Sequence, residues 1–129
     1  MTLTKDRVLR LWPVPTVCRE ARQAVRQFCD ERGLGHLSDD AELMTSELVT
    51  NAVRHATTLF TVVFVERNAA IVVGVVGDDG DLETAPFYPA VAADALAESG
   101  RGLFVVDQLA DDWGTSAQGA GTAVWFRLS

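Results

Sequence analysis

At 129 residues with 48% hydrophobic side chains, the chain suits one compact domain over residues 1–129 and leaves little room for a second. A net charge of −7, with Lys5 the only lysine, disfavours direct binding of nucleic acid, which depends on clustered cations. No apolar run approaches the ~20 residues that span a bilayer, and "MTLTKDRVLRLW" lacks the apolar stretch of a signal peptide, so a soluble cytoplasmic protein is expected, without a membrane partner.

In chain order, "VLRLWPV" (8–14) alternates imperfectly and is stopped by Pro13 and Pro15, which fits a short edge strand. From Thr16 to about Arg32, Val17, Ala21, Val25 and Phe28 recur at helical spacing, and Gly33 and Gly35 end the helix. Cys18 and Cys29 fall in it, roughly 16 Å apart along the axis, too far for a disulfide, so free buried thiols are expected. "SDD" (38–40) offers an N-cap serine and acidic first-turn residues to a second helix, whose Ala41, Met44, Leu48, Ala52 and Ala56 keep the helical period.

"LFTVVFVE" (59–66) and "AAIVVGVVG" (69–77), with "RN" between them, read as a β-hairpin buried on at least one face. The connection 78–99 mixes turn residues, two prolines and small side chains; such length is uncommon in a small domain and is often functional. "GRGLFVVDQLA" resumes a helical pattern through Leu103, Val106 and Leu109, and "WGTSA", "QGAG" and "TAVWFRLS" close the chain as a second hairpin. Helices on one face of a mixed, mostly antiparallel sheet make an α/β two-layer sandwich.

Familiar phosphate and metal motifs are absent. A P-loop needs a lysine, "GRGLFV" holds too few glycines for a Rossmann fingerprint, and His36 and His55 lack the company of a zinc site. What remains is a series of polar residues at the ends of elements. Glu47 and Asn51 lie about 40° apart around their helix and can face one cleft. Asp78 and Gly80 follow an apolar strand, Gly100 and Gly102 precede a helix start, and Thr122 opens the last strand. Each feature alone also fits a bland role: surface helix positions for Glu47 and Asn51, a turn for Asp78–Gly80, a tight loop for the glycine pair. His55 fits a packed or capping histidine. Trp12, Trp113 and Trp125 fit core or sheet-face aromatics, with an interface as the alternative for Trp12.

In their order, however, "SELVTNAVRHA", "VVGDDG", "ESGRGLFVVDQLADDWG" and "GAGTAVWF" closely resemble the N box, the two glycine boxes and the closing segment of the GHKL ATPases. Within that superfamily they resemble the bacterial anti-sigma-factor serine kinases and related ATP-binding proteins. The resemblance implies a histidine-kinase-like ATPase sandwich that binds ATP and Mg²⁺. Asn51 would ligate Mg²⁺, and Glu47 would act as general base. Asp78 would accept from the adenine amine, with Gly80 allowing close backbone approach. Gly100, Arg101, Gly102 and Leu103 would cradle phosphates, and Thr122 would bond near base or phosphates. It further implies transfer of the γ-phosphoryl to a serine of a STAS-type anti-sigma-factor antagonist, binding of a sigma factor, and homodimerisation. A different reading, a catalytically silent ATP-binding module, is favoured by Leu82, where a second glycine often follows the adenine-binding aspartate, and by a short connection with no basic residue before Arg101.

Overall fold

The computed structural model describes residues 6–56, 58–77, 103–118 and 121–129, with backbone alone at positions 55, 115–118, 121 and 122. Strand β1 covers Arg7–Leu11, shorter than the expected 8–14 because the chain turns at Trp12 and the prolines follow. Helix α1 spans Val17–Glu31 and buries Val17, Ala21, Val25, Phe28 and Cys29, the stripe that its apolar spacing predicts. Gly33 then takes a φ of 71°, and the Leu34 N–H donates to the Cys29 carbonyl at 2.8 Å, closing the helix end.

A 3-10 turn at Gly35–Leu37 runs directly into helix α2, Ser38–His55. Ser38 is therefore not the expected N-cap: Leu37 holds that position without a side-chain bond. The Ser38 hydroxyl donates back to the Gly35 carbonyl at 2.8 Å and accepts from Arg26.

Strands β2 (Phe60–Arg67) and β3 (Ala70–Gly77) pair antiparallel from Phe60↔Gly77 to Arg67↔Ala70. The two-residue turn is Asn68–Ala69, one position later than expected, and both residues have positive φ (54° and 63°). Such a turn matches the twist of its strands, and asparagine tolerates it, but alanine is an unusual occupant.

Helix α3 (Phe104–Leu109) leads into β4 (Asp112–Gln118) and β5 (Gly121–Leu128). The sheet order is β1-β2-β3-β5-β4, and all four pairings are antiparallel, so the mixed sheet expected from the sequence is wholly antiparallel among the described strands.

Strand side chains alternate between faces, and one set (Phe60, Phe64, Ile71, Val73, Phe126) forms the main core with α1 and α2 through Phe28, Met44 and Leu48. The opposite set, Val63, Val65, Val72, Val76, Ala123 and Trp125, is also buried. Burial on both faces explains why β2 and β3 read as nearly unbroken apolar runs rather than as alternating strands. Among the described residues no helix is long and apolar enough to cross a membrane.

One end of this core is closed by ionic groups. The Asp6 carboxylate accepts from the Glu66 N–H at 2.8 Å and pairs with Arg67, while Arg7 pairs with Glu31. The guanidinium carbons of Arg7 and Arg32 stand 5.4 and 4.8 Å from the centroid of Phe28, which stacks on Phe64. Each cation–ring contact contributes about 0.5–1 kcal/mol, comparable to or above an exposed ion pair. The Arg7 guanidinium, hydrogen-bonded to Glu31, holds that carboxyl below its ordinary range.

Candidate functional site

Helix α2 lies between two other helices, and its faces are used differently. Ala41, Met44, Leu48 and Val49 are buried. One flank belongs to α1: Arg22 donates to the Ser46 hydroxyl at 3.2 Å, Cys18 Sγ lies 3.6 Å from Thr50 Oγ1, and Arg26 pairs with Asp39 and Glu42. Glu47 and Asn51 follow Ser46 and Thr50 by one residue each, a rotation of about 100°, and so lie on the flank turned away from α1. Because α3 packs on α2 and β4 while α1 packs toward β2, this is the flank on the α3 side.

Both side chains are half-buried, and no described residue hydrogen-bonds or pairs with either. An unspent carboxylate and carboxamide one turn apart, partly withdrawn from water, suit an incoming hydroxyl and a hard cation. No cluster of three or more His, Cys, Asp or Glu side chains is placed to hold a metal among the described residues. Mg²⁺ does not require one, since it commonly takes one or two protein oxygens together with phosphate oxygens and water. Asn51 therefore fits such an ion as one oxygen ligand among several.

The remaining predicted positions are bracketed by described neighbours. The C-terminal half of α2, Phe60 at the start of β2, Gly77 at the end of β3, and the Gln118↔Gly121 end of the β4–β5 hairpin lie at one end of the sheet. Helix α3 packs on α2 and leads into β4, whose first residue, Asp112, pairs with Arg127 at the opposite end of the sheet. Asp78, Gly80, Gly100, Arg101 and Gly102, and the connection 78–99, lie outside the described residues. Leu103 is buried at the head of α3. Thr122 pairs with Ala117 in β5; its side chain is not described, nor is that of His55.

Other contacts were not legible from the motifs. Trp113 Nε1 donates to Asp107 Oδ1 at 2.9 Å and ties α3 to β4, so Trp113 is half-buried rather than a plain core aromatic. Its signal was present in "VVDQLADDWG", but the pairing needs the turn between α3 and β4 to be known. Trp12 departs from the expectation of a core position: it is 63% exposed. Arg54, exposed and two helical turns beyond Glu47, extends the same side of α2 with a positive charge. Both thiols are free, as expected. Cys29 is fully buried and its thiol is pushed up to about 11, chiefly by burial and then by the Asp30 carboxylate, whereas Cys18 is only half-buried.

A five-stranded antiparallel sheet under helices, with an acid–amide pair on the flank of α2 turned away from α1, defines an α/β sandwich of the GHKL type. Residues 11–128 match the histidine kinase-like ATPase domain family, and the chain belongs to that family. Membership implies ATP binding. A comparison with curated proteins finds no match.

Proposed function

We propose that the protein is an ATP-dependent protein serine kinase of the anti-sigma-factor type, acting in the cytoplasm as a homodimer. It transfers the γ-phosphoryl of Mg·ATP to a serine of a STAS-type antagonist and binds a sigma factor when the antagonist is absent or phosphorylated. The observation that carries this reading is the half-buried Glu47 carboxylate, without a partner among the described residues and one turn from Asn51 on the open flank of α2. A nucleotide-binding module that performs no chemistry has no need of a base there.

In this reading Glu47 accepts the proton of the substrate hydroxyl as its oxygen forms the new bond to the γ-phosphorus. The bond from that phosphorus to the β–γ bridging oxygen breaks, and ADP leaves with the electron pair. Asn51 would hold Mg²⁺ through its amide oxygen, and the chemistry such an ion would supply there is neutralisation of phosphate charge. Asp78 selects adenine, because its carboxylate accepts from an exocyclic amine and meets guanine's carbonyl acceptor to acceptor. Gly80 gives the base close access, Gly100, Arg101, Gly102 and Leu103 surround the phosphates, and Thr122 adds a hydroxyl.

Glu47→Gln keeps the shape and removes the proton acceptor. It should leave ATP and Mg²⁺ affinity nearly unchanged and slow transfer from labelled ATP to the antagonist about 10²–10⁴-fold. Asn51→Ala should weaken Mg²⁺-dependent ATP binding instead. Equal transfer by the Glu47→Gln protein removes Glu47 as base. A parent protein that binds ATP but transfers nothing, with Leu82 in place of a second glycine, is the silent module.

A further inference from the structure

We infer that Leu43 and Asp40 on α2 choose the acceptor serine. They select an extended segment of the substrate protein in which an apolar side chain lies two positions from the serine and a basic one three or four positions away on the same side. The inference rests on the kinase reading and adds to it the residues that recognise the acceptor.

Placement follows from helical phase. Four residues of a helix turn a side chain by about 40° and raise it by about 6 Å. Leu43 therefore stands one turn before Glu47, as Asn51 stands one turn after it. Asp40, seven residues before Glu47, falls within about 20° of it around the axis and about 10.5 Å along it. One side of α2 thus carries, in order, a carboxylate, an apolar side chain, the proposed base and the amide.

The fold uses neither of the first two. Leu43 is 47% exposed, the one exposed large hydrophobic of α2 among the described residues, while Ala41, Met44 and Leu48 beside it are buried. Asp40 is exposed and makes no hydrogen bond or ion pair among the described residues, whereas Asp39 and Glu42 both pair with Arg26. An acidic residue in the first turn favours the helix whichever way it faces, and Asp39 already supplies one. Helix stability therefore accounts for the charge of Asp40 but not for its alignment with Glu47.

The chemistry fixes the direction of approach. Phosphoryl transfer sets the attacking and leaving oxygens roughly in line through the phosphorus. With the phosphates on the Asn51 side of Glu47, the leaving group departs toward the C-terminal end of α2. The acceptor hydroxyl then arrives from the N-terminal side, across Asp40 and Leu43. An extended chain advances about 3.3 Å per residue, and side chains two positions apart point the same way. Two residues span the distance from Glu47 to Leu43, and three or four span that to Asp40. A serine seated on Glu47 thus lays its second neighbour on Leu43 and brings a lysine or arginine within reach of the unpaired Asp40 carboxylate. An acidic segment would meet Asp40, Asp39 and Glu42 and be repelled.

The test uses the full chain, ATP labelled in its γ-phosphate and the antagonist, whose phosphorylated serine is located by mass spectrometry. Leu43→Gln keeps a good helix former and removes the apolar contact. It should raise KM for the antagonist about tenfold and leave kcat and the Kd for ATP within about twofold, the pattern of lost binding rather than lost chemistry. Leu43→Met should restore most of the loss. Asp40→Lys should raise KM about fivefold at low salt and less at high salt. Replacing the antagonist's apolar residue two positions from the serine by glutamine should raise KM as Leu43→Gln does, and the two changes together should do no more than either alone. With the parent transferring phosphate, four results overturn this inference and leave the kinase reading standing. They are an unchanged KM in Leu43→Gln, a change in kcat without one in KM, a serine with no apolar residue two positions away on either side, and full additivity of the paired changes. A parent that binds ATP and transfers nothing removes the kinase reading, and this inference with it.

Discussion

Thr45→Val should stabilise the protein, against the general expectation for a substitution inside a core helix. Thr45 is fully buried, and its Oγ1 has no hydrogen-bond partner among the described residues. An unpaired buried hydroxyl costs about 1–3 kcal/mol, and valine replaces it with a methyl of the same shape and branching. Allowing for partial relaxation, the expected gain is about 1–2 kcal/mol. At about 2.1 cal/mol/K per residue, the unfolding entropy of 129 residues is about 0.27 kcal/mol/K, so Tm should rise by about 4–7 °C. Calorimetry and urea titration measure this directly, and an unchanged m-value would show that the gain is in the folded state. Thr45→Ser is the control: it keeps the hydroxyl, loses the methyl, and should lower Tm. If Thr45→Val leaves Tm unchanged or lowers it, the hydroxyl has a partner in solution and the reasoning fails.

Other substitutions probe separate features. Ala69→Gly, at an exposed position with φ 63°, should stabilise the β2–β3 hairpin by about 0.5–1 kcal/mol, read from the urea midpoint; a loss would show that the turn is not left-handed there. Cys29 binds its proton more tightly in the folded than in the unfolded chain. Its contribution is therefore complete below about pH 9 and lost as pH rises toward about 11, on the order of 2 kcal/mol in unfolding titrations. Native thiol labelling should modify Cys18 well before Cys29, and equal rates would contradict the burial. On the kinase reading, ATP should bind in preference to GTP and the preference should vanish in Asp78→Asn; unchanged selectivity in isothermal titration would remove Asp78 from the base.

The elements that were legible in the sequence are those whose pattern and packing coincide. Val17, Ala21, Val25 and Phe28 announce α1 because one stripe faces one core, and the β-branched runs of β2 and β3 announce a hairpin. The misplaced turn arose because alanine carries no turn signal, and its positive φ is imposed by strand register. Ser38 looked like a cap because capping is judged locally, whereas the preceding 3-10 turn claims the hydroxyl. For Trp12 the sequence favours a core or sheet-face place with an interface as the alternative, because aromatics are usually buried and nothing in "LWPVP" says which side of the loop is wet. For the site, helical spacing puts Glu47 and Asn51 together. That they occupy the flank not taken by α1 depends on contacts such as Arg22 with Ser46, between residues 24 apart.

The sheet order has a consequence for synthesis on the ribosome. Strand β5 is made after the other four described strands, yet it is inserted between β3 and β4. Until Leu128 has left the exit tunnel and found Ile71, the nascent chain presents β3 as an open edge carrying Ile71, Val73 and Val75. A ribosome stalled before residue 121 would release a product with that apolar edge unpaired, a template for strand addition between copies. Translation speed over the final strand thus bears on how much of the protein reaches its folded state.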